Sequence, residues 1–362
     1  MTLLTTLLAG LLTLQAGGSM PPGLREHVEA GLKARQDGDF DAAIRAFERV
    51  AALAPELAAA HVNLGAAYLD AKRYPKAAES LRRALELSPD LPGARGMLGT
   101  ALLAQGYANE AVPHLESAGL HGLLGVALLE AGRTPEAIGA FERAIAAEPD
   151  DPDILYYLGR AHDQLAKQLF DRLLAAHAGS ARARQLAGEA QRAAGNREAA
   201  EREYRAALEA RPGLPGVHFA LGELRLESGD YQQAEREFRA EHEMRPGDAQ
   251  AAYRLGAVLL SLGDTAQAVV MLRRANELRP DMPETMFELA RGLTLSGQFP
   301  EAETLLIRVL EMEADTRLAE SASFQLANLL RQQGRIEEAG RELARYRKIR
   351  AARARPAAST RQ

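Results

Sequence analysis

Histidine is the side chain best suited to acid–base or metal chemistry in this chain, which has eight of them. They show neither an HExxH pattern nor a pair four residues apart, the spacing that places two imidazoles on one helical face around a metal. The sequence also has no GxSxG, Walker or GxGxxG segment. The absence of cysteine excludes disulfides, thiolate metal sites and cysteine nucleophiles. We therefore expect no catalytic site, no metal site and no cofactor.

Aromatic side chains offer binding chemistry instead, since rings flanked by polar groups suit an extended or helical peptide. The aromatics that recur at one place of a repeating pattern, with a single interruption by Gln185, are Tyr156, Phe219, Tyr253, Phe287 and Phe324. The residues four positions after these five aromatics and Gln185 form a second row of mixed charge: Arg160, Glu189, Glu223, Ala257, Arg291 and Asn328. We take these two rows, apart from Ala257, as the candidate peptide-binding surface. The aromatics could equally pack against their neighbours, and the two interpretations are compatible.

The repeating pattern itself is a Gly, an Ala twelve residues later, a large residue four later and a Pro eight later. One copy reads Gly188, Ala200, Tyr204 and Pro212, and the pattern recurs about every 34 residues. Such a period is typical of a solenoid, in which each unit is a helical hairpin that cannot bury its apolar face alone. Small residues at the first two places allow two helices to approach closely, and a Gly between them allows the turn.

This pattern resembles that of the tetratricopeptide repeat family, over about residues 24–350 and in about ten units. The resemblance implies an all-α, right-handed superhelical solenoid of antiparallel helix pairs, whose first helices line a concave groove that holds a peptide or a partner segment. The family's tryptophan is replaced in four units by Leu155, His218, Ala252 and Met286. Some members hold a peptide C-terminus in a clamp of Lys, Asn and Arg. Here Val28, Val62 and Gly96 stand at the aromatic place of the first three units, which disfavours co-chaperone behaviour.

The repeat loses its register in two places. Gly99 and Gly125 are 26 residues apart, so eight residues are missing around Gly119–Gly122, and we expect short helices on both sides. In unit five, a helix from Asp153 to about Gln164 continues into 167–178 with no Gly or Pro between the two segments, and Phe170 stands at the core place. A local change of superhelix is expected there, which would separate two blocks of units. Harmless drift in an old array is the alternative.

The ends of the chain have their own signals. The apolar run 3–14 is too short to span a bilayer and precedes small residues, as in a signal peptide, although no Lys or Arg comes before it. Of the chain's net charge of −5, residues 341–362 contribute +7 and the remainder −12. The predicted segments are a signal peptide (1–18), a linker (19–23), units one to four (24–150), irregular unit five (151–180), units six to ten with a charged cap (181–350) and a basic disordered tail (351–362).

We accordingly predict a non-catalytic protein-interaction scaffold of the bacterial exported type, periplasmic or secreted, or cytoplasmic if the signal-peptide interpretation is wrong. The expected partner is another protein or a peptide segment. The weak net charge argues against nucleic acid, and membrane contact is expected only through the basic tail. Self-association stays open. One alternative is an assembly factor that acts in the envelope, in polysaccharide synthesis or in secretion. The other is a non-catalytic targeting subunit of an enzyme such as a glycosyltransferase.

Overall fold

The computed structural model describes residues 22–91 and 93–354, which form 19 α-helices and no strand. The predicted signal peptide and most of the predicted tail lie outside the described residues. The helices are α1 Pro22–Gln36, α2 Phe40–Leu53, α3 Ala58–Asp70, α4 Tyr74–Leu87, α5 Ala94–Ala104, α6 Ala108–Ser117, α7 His121–Glu130, α8 Thr134–Ala147, α9 Pro152–His177, α10 Ala181–Ala193, α11 Arg197–Ala210, α12 Val217–Glu227, α13 Tyr231–Met244, α14 Ala249–Leu262, α15 Thr265–Leu278, α16 Pro283–Leu295, α17 Phe299–Met312, α18 Arg317–Gln332 and α19 Ile336–Ala354.

Within the described residues, all helices except α9 form hairpins, four before α9 and five after it, from α1·α2 to α7·α8 and from α10·α11 to α18·α19. A glycine in the left-handed region makes most of the turns, such as Gly229 with φ 77°. The α3·α4 turn instead uses Lys72, whose φ of 56° is unfavourable for a residue with a Cβ. Among these residues, no helix combines the length and the apolar character that crossing a bilayer requires.

The two helices of a hairpin cross at the glycine that opens the repeat pattern. A Cβ added at Gly125 would lie 2.5 Å from Phe141 Cε1, and one added at Gly222 would lie 2.7 Å from Phe238 Cε1. Both phenylalanines are buried. The expectation that small residues are needed for close approach, with a large residue filling the core beneath them, is therefore confirmed.

Helix α9 replaces the fifth hairpin. It runs without interruption over 26 residues because no Gly or Pro breaks its second half. The fifth unit of the sequence pattern is thus a single helix and not a helix pair. Phe170, which the pattern assigned to a hairpin core, is 49% exposed. Its place in the pattern requires a second helix that turns back over the first, and α9 has none.

The chain divides into two compact units, one ending at Asp171 and the other beginning at Arg172, which we call the N-terminal and the C-terminal unit. The core of the N-terminal unit is one continuous apolar cluster from Leu24 to Ala161. The core of the C-terminal unit consists of two clusters, one from Ala181 to Leu224 and one from Ala234 to Ile349. Helices α6 and α7 of the N-terminal unit have only ten residues each, which confirms the shortening expected around Gly119–Gly122.

Candidate functional site

Four consecutive first helices of the C-terminal unit carry the predicted aromatics. Phe219 lies on α12, Tyr253 on α14, Phe287 on α16 and Phe324 on α18. Helix α14 contacts α16, and α16 contacts α18, so successive first helices lie side by side. A residue at the same place of each repeat therefore follows its counterpart along one side of the unit. We call these four side chains the aromatic row.

The rings of the aromatic row pack and are also partly exposed. Phe219, Tyr253 and Phe287 are half-buried and contact the core cluster of the C-terminal unit. The Phe219 ring meets Phe238 edge-on, with 5.4 Å between the ring centroids. Burial raises the pKa of the Tyr253 hydroxyl above its ordinary value. These contacts fix the orientation of each ring while part of its surface stays accessible.

The last two members of the row border a cleft of 390 Å³, which Arg291, Glu320, Gln325 and Tyr346 also line. Phe324 is 46% exposed, and its ring lies 5.5 Å from the ring of Tyr346 on α19. The cleft thus has aromatic walls on three helices. Its volume falls in the range of small binding sites, which start at about 300 Å³.

The charged groups of this cleft are held by neighbouring side chains. Arg291 donates a hydrogen bond to Glu288 over 2.5 Å, and Glu320 is paired with Arg353. Burial raises the pKa of Glu288, while the nearby Arg291 guanidinium opposes this effect. The cleft therefore offers positioned donors and acceptors beside apolar ring surface.

Glu223 was predicted to belong to the binding surface, but the structure shows it engaged by neighbouring helices. It lies 2.8 Å from Arg254 Nε of α14 and 3.5 Å from Arg192 of α10, and only 14% of its side chain is exposed. One carboxylate on α12 thus links three first helices. Its direct role is to join neighbouring hairpins.

The other predicted residues lie apart from the cleft or add little to it. Gln185 and Glu189 of α10 are hydrogen-bonded to each other over 3.1 Å. Asn328 is half-buried on α18. Tyr156 and Arg160 lie on α9 in the N-terminal unit, where the Arg160 guanidinium stacks over the Tyr156 ring at 5.9 Å.

A buried glutamate that sequence reasoning missed fixes the start of α12. The side chain of Glu241 is fully buried, and its two oxygens accept hydrogen bonds from the Gly216 N–H at 2.9 and 3.0 Å. It also accepts one from the Phe219 N–H at 3.3 Å. A carboxylate at a helix N-terminus is favoured by the helix dipole. Its sequence signal was an acidic residue at a place of the second helix where Ala144 and Ala207 stand in other hairpins and where Ala118 follows the end of α6.

Among residues 22–91 and 93–354, no cluster of three or more His, Asp or Glu side chains has the arrangement of a metal site.

Three family models described as tetratricopeptide repeat match the chain. Their matches are at residues 28–92, 123–165 and 219–283, at 68–122 and 259–322, and at 321–345. Together they cover 28–165 and 219–345, well over half of the chain.

Several solved structures are similar to this chain. A crystal structure of MamA is 18% identical, over 46% of this chain and 96% of that one, with a TM-score of 0.43. YrrB, whose description is "a TPR protein with an unusual peptide-binding site", is 20% identical over 50% and 91%, with a TM-score of 0.46. MamA 41-end from Desulfovibrio magneticus RS-1 is 17% identical over 48% and 97%, with a TM-score of 0.45. No curated protein matches the chain.

Proposed function

This chain belongs to the tetratricopeptide repeat family, and we propose that it is a non-catalytic scaffold that holds a peptide segment of a partner protein along its aromatic row. The observation that carries the proposal is the cleft between Phe287, Phe324 and Tyr346. It lies at the end of the row, where ring exposure is greatest among its four members. Aromatic anchors of this kind dominate the affinity of protein interfaces.

Preorganisation favours binding at this surface. The inner rings are already packed on the core, and Glu241 fixes the helix start that carries Phe219. A peptide would therefore find rings whose rotamers need little further ordering, which lowers the entropic cost of association. Arg291 and Gln325 supply donors for peptide carbonyls, and Glu320 supplies an acceptor for peptide N–H groups.

The test is affinity capture with the full chain as bait, beside Phe324→Ala and a matched control. Tyr231→Ala is the control, because Tyr231 is a similarly exposed aromatic of the same unit (44% against 46%) and lies on the second helix α13. We expect a partner that the parent and Tyr231→Ala retain and that binds Phe324→Ala at least about tenfold more weakly. A partner retained equally by all three baits would contradict the proposal.

We also propose that the scaffold acts outside the cytoplasm, in a periplasmic or secreted location. The support is the apolar run 3–14 followed by Ala16, Gly17, Gly18 and Ser19. N-terminal sequencing of the protein purified from its own cells tests this. A mature N-terminus near residue 19 is the expected result. An intact N-terminus, with the protein recovered in the cytosolic fraction, would contradict the proposal.

A further inference from the structure

The loss of eight residues around Gly119–Gly122 leaves the end of one helix uncovered. Helix α7 has ten residues, whereas its antiparallel partner α8 has fourteen. The last four residues of α8 therefore extend about 6 Å beyond the start of α7, at 1.5 Å per residue. The regular hairpin α3·α4, with thirteen and fourteen residues, leaves no such overhang.

A cleft of 580 Å³ lies at this overhang, within the N-terminal unit. Its walls are mostly apolar and include Leu123, Val126, Ala147 and Ile154. The stacked rings of Phe141 and Tyr157 also line it, with centroids 6.0 Å apart and planes 7° apart. Leu123 is 38% exposed. The cleft is large enough for a leucine or phenylalanine side chain.

The polar part of the cleft wall consists of His121 and three acidic residues. The carboxylates of Glu148, Asp151 and Asp153 line it, and none of the three forms an ion pair with any residue in the described part of the chain. Asp151 accepts hydrogen bonds from the N–H groups of Asp153 and Ile154 at the start of α9, which holds this loop in place. An apolar cleft beside unpaired carboxylates is complementary to an apolar side chain with cationic neighbours.

We propose that this cleft docks a basic peptide segment of a partner protein, in which one large aliphatic or aromatic side chain is flanked by Lys or Arg. The apolar side chain enters between α7, α8 and the first turns of α9. The flanking cations meet Glu148 and Asp153. This site lies in the N-terminal unit and is independent of the aromatic row.

Gly122 allows the cleft to be filled without damage to the fold. A Cβ added there would meet only Ile154 Cγ1, at 3.9 Å, which is an ordinary contact. Gly122→Leu therefore extends a side chain toward the cleft from the first turn of α7, and the substitution also improves helix propensity. Gly159→Leu is the matched control, since Gly159 is an exposed residue of α9 outside the cleft lining and a Cβ there meets nothing within 4 Å.

The experiment titrates fluorescein-labelled peptides with the full chain and follows fluorescence anisotropy. The probe is Arg-Arg-Leu-Arg-Arg, and the comparison peptides are Arg-Arg-Ser-Arg-Arg and Glu-Glu-Leu-Glu-Glu. We expect saturable binding of the probe and at least about tenfold weaker binding of both comparison peptides. Gly122→Leu should lose about tenfold in affinity, whereas Gly159→Leu should match the parent. The double variant Glu148→Gln, Asp153→Asn should weaken binding and reduce its salt dependence.

Three results would overturn the proposal. These are equal probe binding by the parent and Gly122→Leu, equal binding of the Arg-flanked and Glu-flanked peptides, or no saturable binding up to about 1 mM. Sedimentation velocity measures whether the chain self-associates. If it does, and Gly122→Leu abolishes the association, the occupant of the cleft is a second copy of the chain and not a partner protein. Phe324→Ala should leave probe binding unchanged, so failure at this cleft and failure at the aromatic row are distinguishable.

Discussion

Two hairpins, α5·α6 in the N-terminal unit and α12·α13 in the C-terminal unit, are built on the same residues of the repeat pattern. We call the starting glycine, the crossing glycine and the large residue beneath it the hairpin frame. Each hairpin begins after a glycine in the left-handed region, Gly93 with φ 77° and Gly216 with φ 89°. At the crossing of each hairpin, a Cβ on Gly99 or Gly222 would lie 2.7 Å from the large residue of the second helix. The residues that make the hairpin are therefore equivalent in the two units.

Among the places where the two hairpins differ, two concern the surface of the first helix and lie three and twenty-five residues after the starting glycine. In α5·α6 these residues are Gly96 and Ala118, and a Cβ on Gly96 would lie 2.8 Å from Leu120 Cδ1. In α12·α13 they are Phe219 and Glu241, a half-buried ring and the buried carboxylate that holds its helix start. Small residues let the next segment close over the first helix, whereas the larger pair maintains a partly open aromatic surface. These two positions outside the hairpin frame thus contribute to the kind of surface that each hairpin offers.

The largest expected effect tests whether the two units lose structure separately. Leu115→Ala and Phe238→Ala each truncate the fully buried core residue at the crossing of one of these hairpins. Each should destabilise its own unit by about 2–5 kcal/mol, through lost burial and a cavity. Hydrogen exchange followed by mass spectrometry should show faster exchange only in the unit that carries the substitution. Leu53→Ala, at a 62% exposed side chain, is the control, and faster exchange in both units would contradict the division.

The next effect concerns the buried carboxylate that α5·α6 lacks. Glu241→Ala converts this place of α12·α13 to the alanine of the other hairpin and leaves the N–H groups of Gly216 and Phe219 without their acceptor. We expect a loss of about 1–3 kcal/mol and faster exchange at the start of α12. Glu243→Ala, an exposed position two residues away, should have little effect. Equal stability of the two variants would mean that Glu241 does not hold the helix start.

The hairpin frame was predictable from the sequence because its determinants are local. The crossing glycine, the alanine and the large residue recur at fixed spacing, and the helices form where that spacing places them. The shortened α6 and α7 could also be predicted, since a deletion changes element length directly. The cleft beside Phe141 could not, because a missing segment does not reveal which surface it uncovers.

Pairing between hairpins was harder to predict than the hairpins themselves. Glu223 was assigned to the binding surface and Glu241 was missed, because the partners of both lie on other helices 22 to 31 residues away. Phe170 matched the core place of the pattern, yet its burial required a second helix that the chain does not form. Lys72 occupies a turn that most hairpins give to glycine, and only the backbone geometry identifies it as strained.

A pH-dependent effect is expected in both hairpins, and it is smaller. Burial, together with nearby arginines, lowers the pKa of His114 on α6 and of His242 on α13. Each folded hairpin binds a proton less readily than its unfolded chain, so stability is present above pH about 6.5 and falls as the pH drops below that value. Hydrogen exchange corrected for intrinsic rates should show both hairpins loosening between about pH 7.5 and pH 5.

Single substitutions separate the two histidines. His114→Gln should flatten the pH dependence of α5·α6 alone, and His242→Gln that of α12·α13 alone. His177→Gln, at an exposed position of α9, should leave both profiles unchanged. A profile that keeps its slope after the matching substitution would show that other groups titrate in that hairpin.

The smallest effect concerns the ion pairs that join α12 to its neighbours. Glu223 lies 2.8 Å from Arg254 and 3.5 Å from Arg192, whereas the equivalent Thr100 of α5 donates to the Gly96 carbonyl of its own helix at 2.8 Å. Glu223→Gln should cost about 1 kcal/mol at low ionic strength, since the carboxylate is only partly exposed to solvent. Added salt should reduce this loss, while Thr100→Val should show no salt dependence. If the loss from Glu223→Gln is independent of salt, shape rather than charge joins these hairpins, and the two units differ only in the surface that they present.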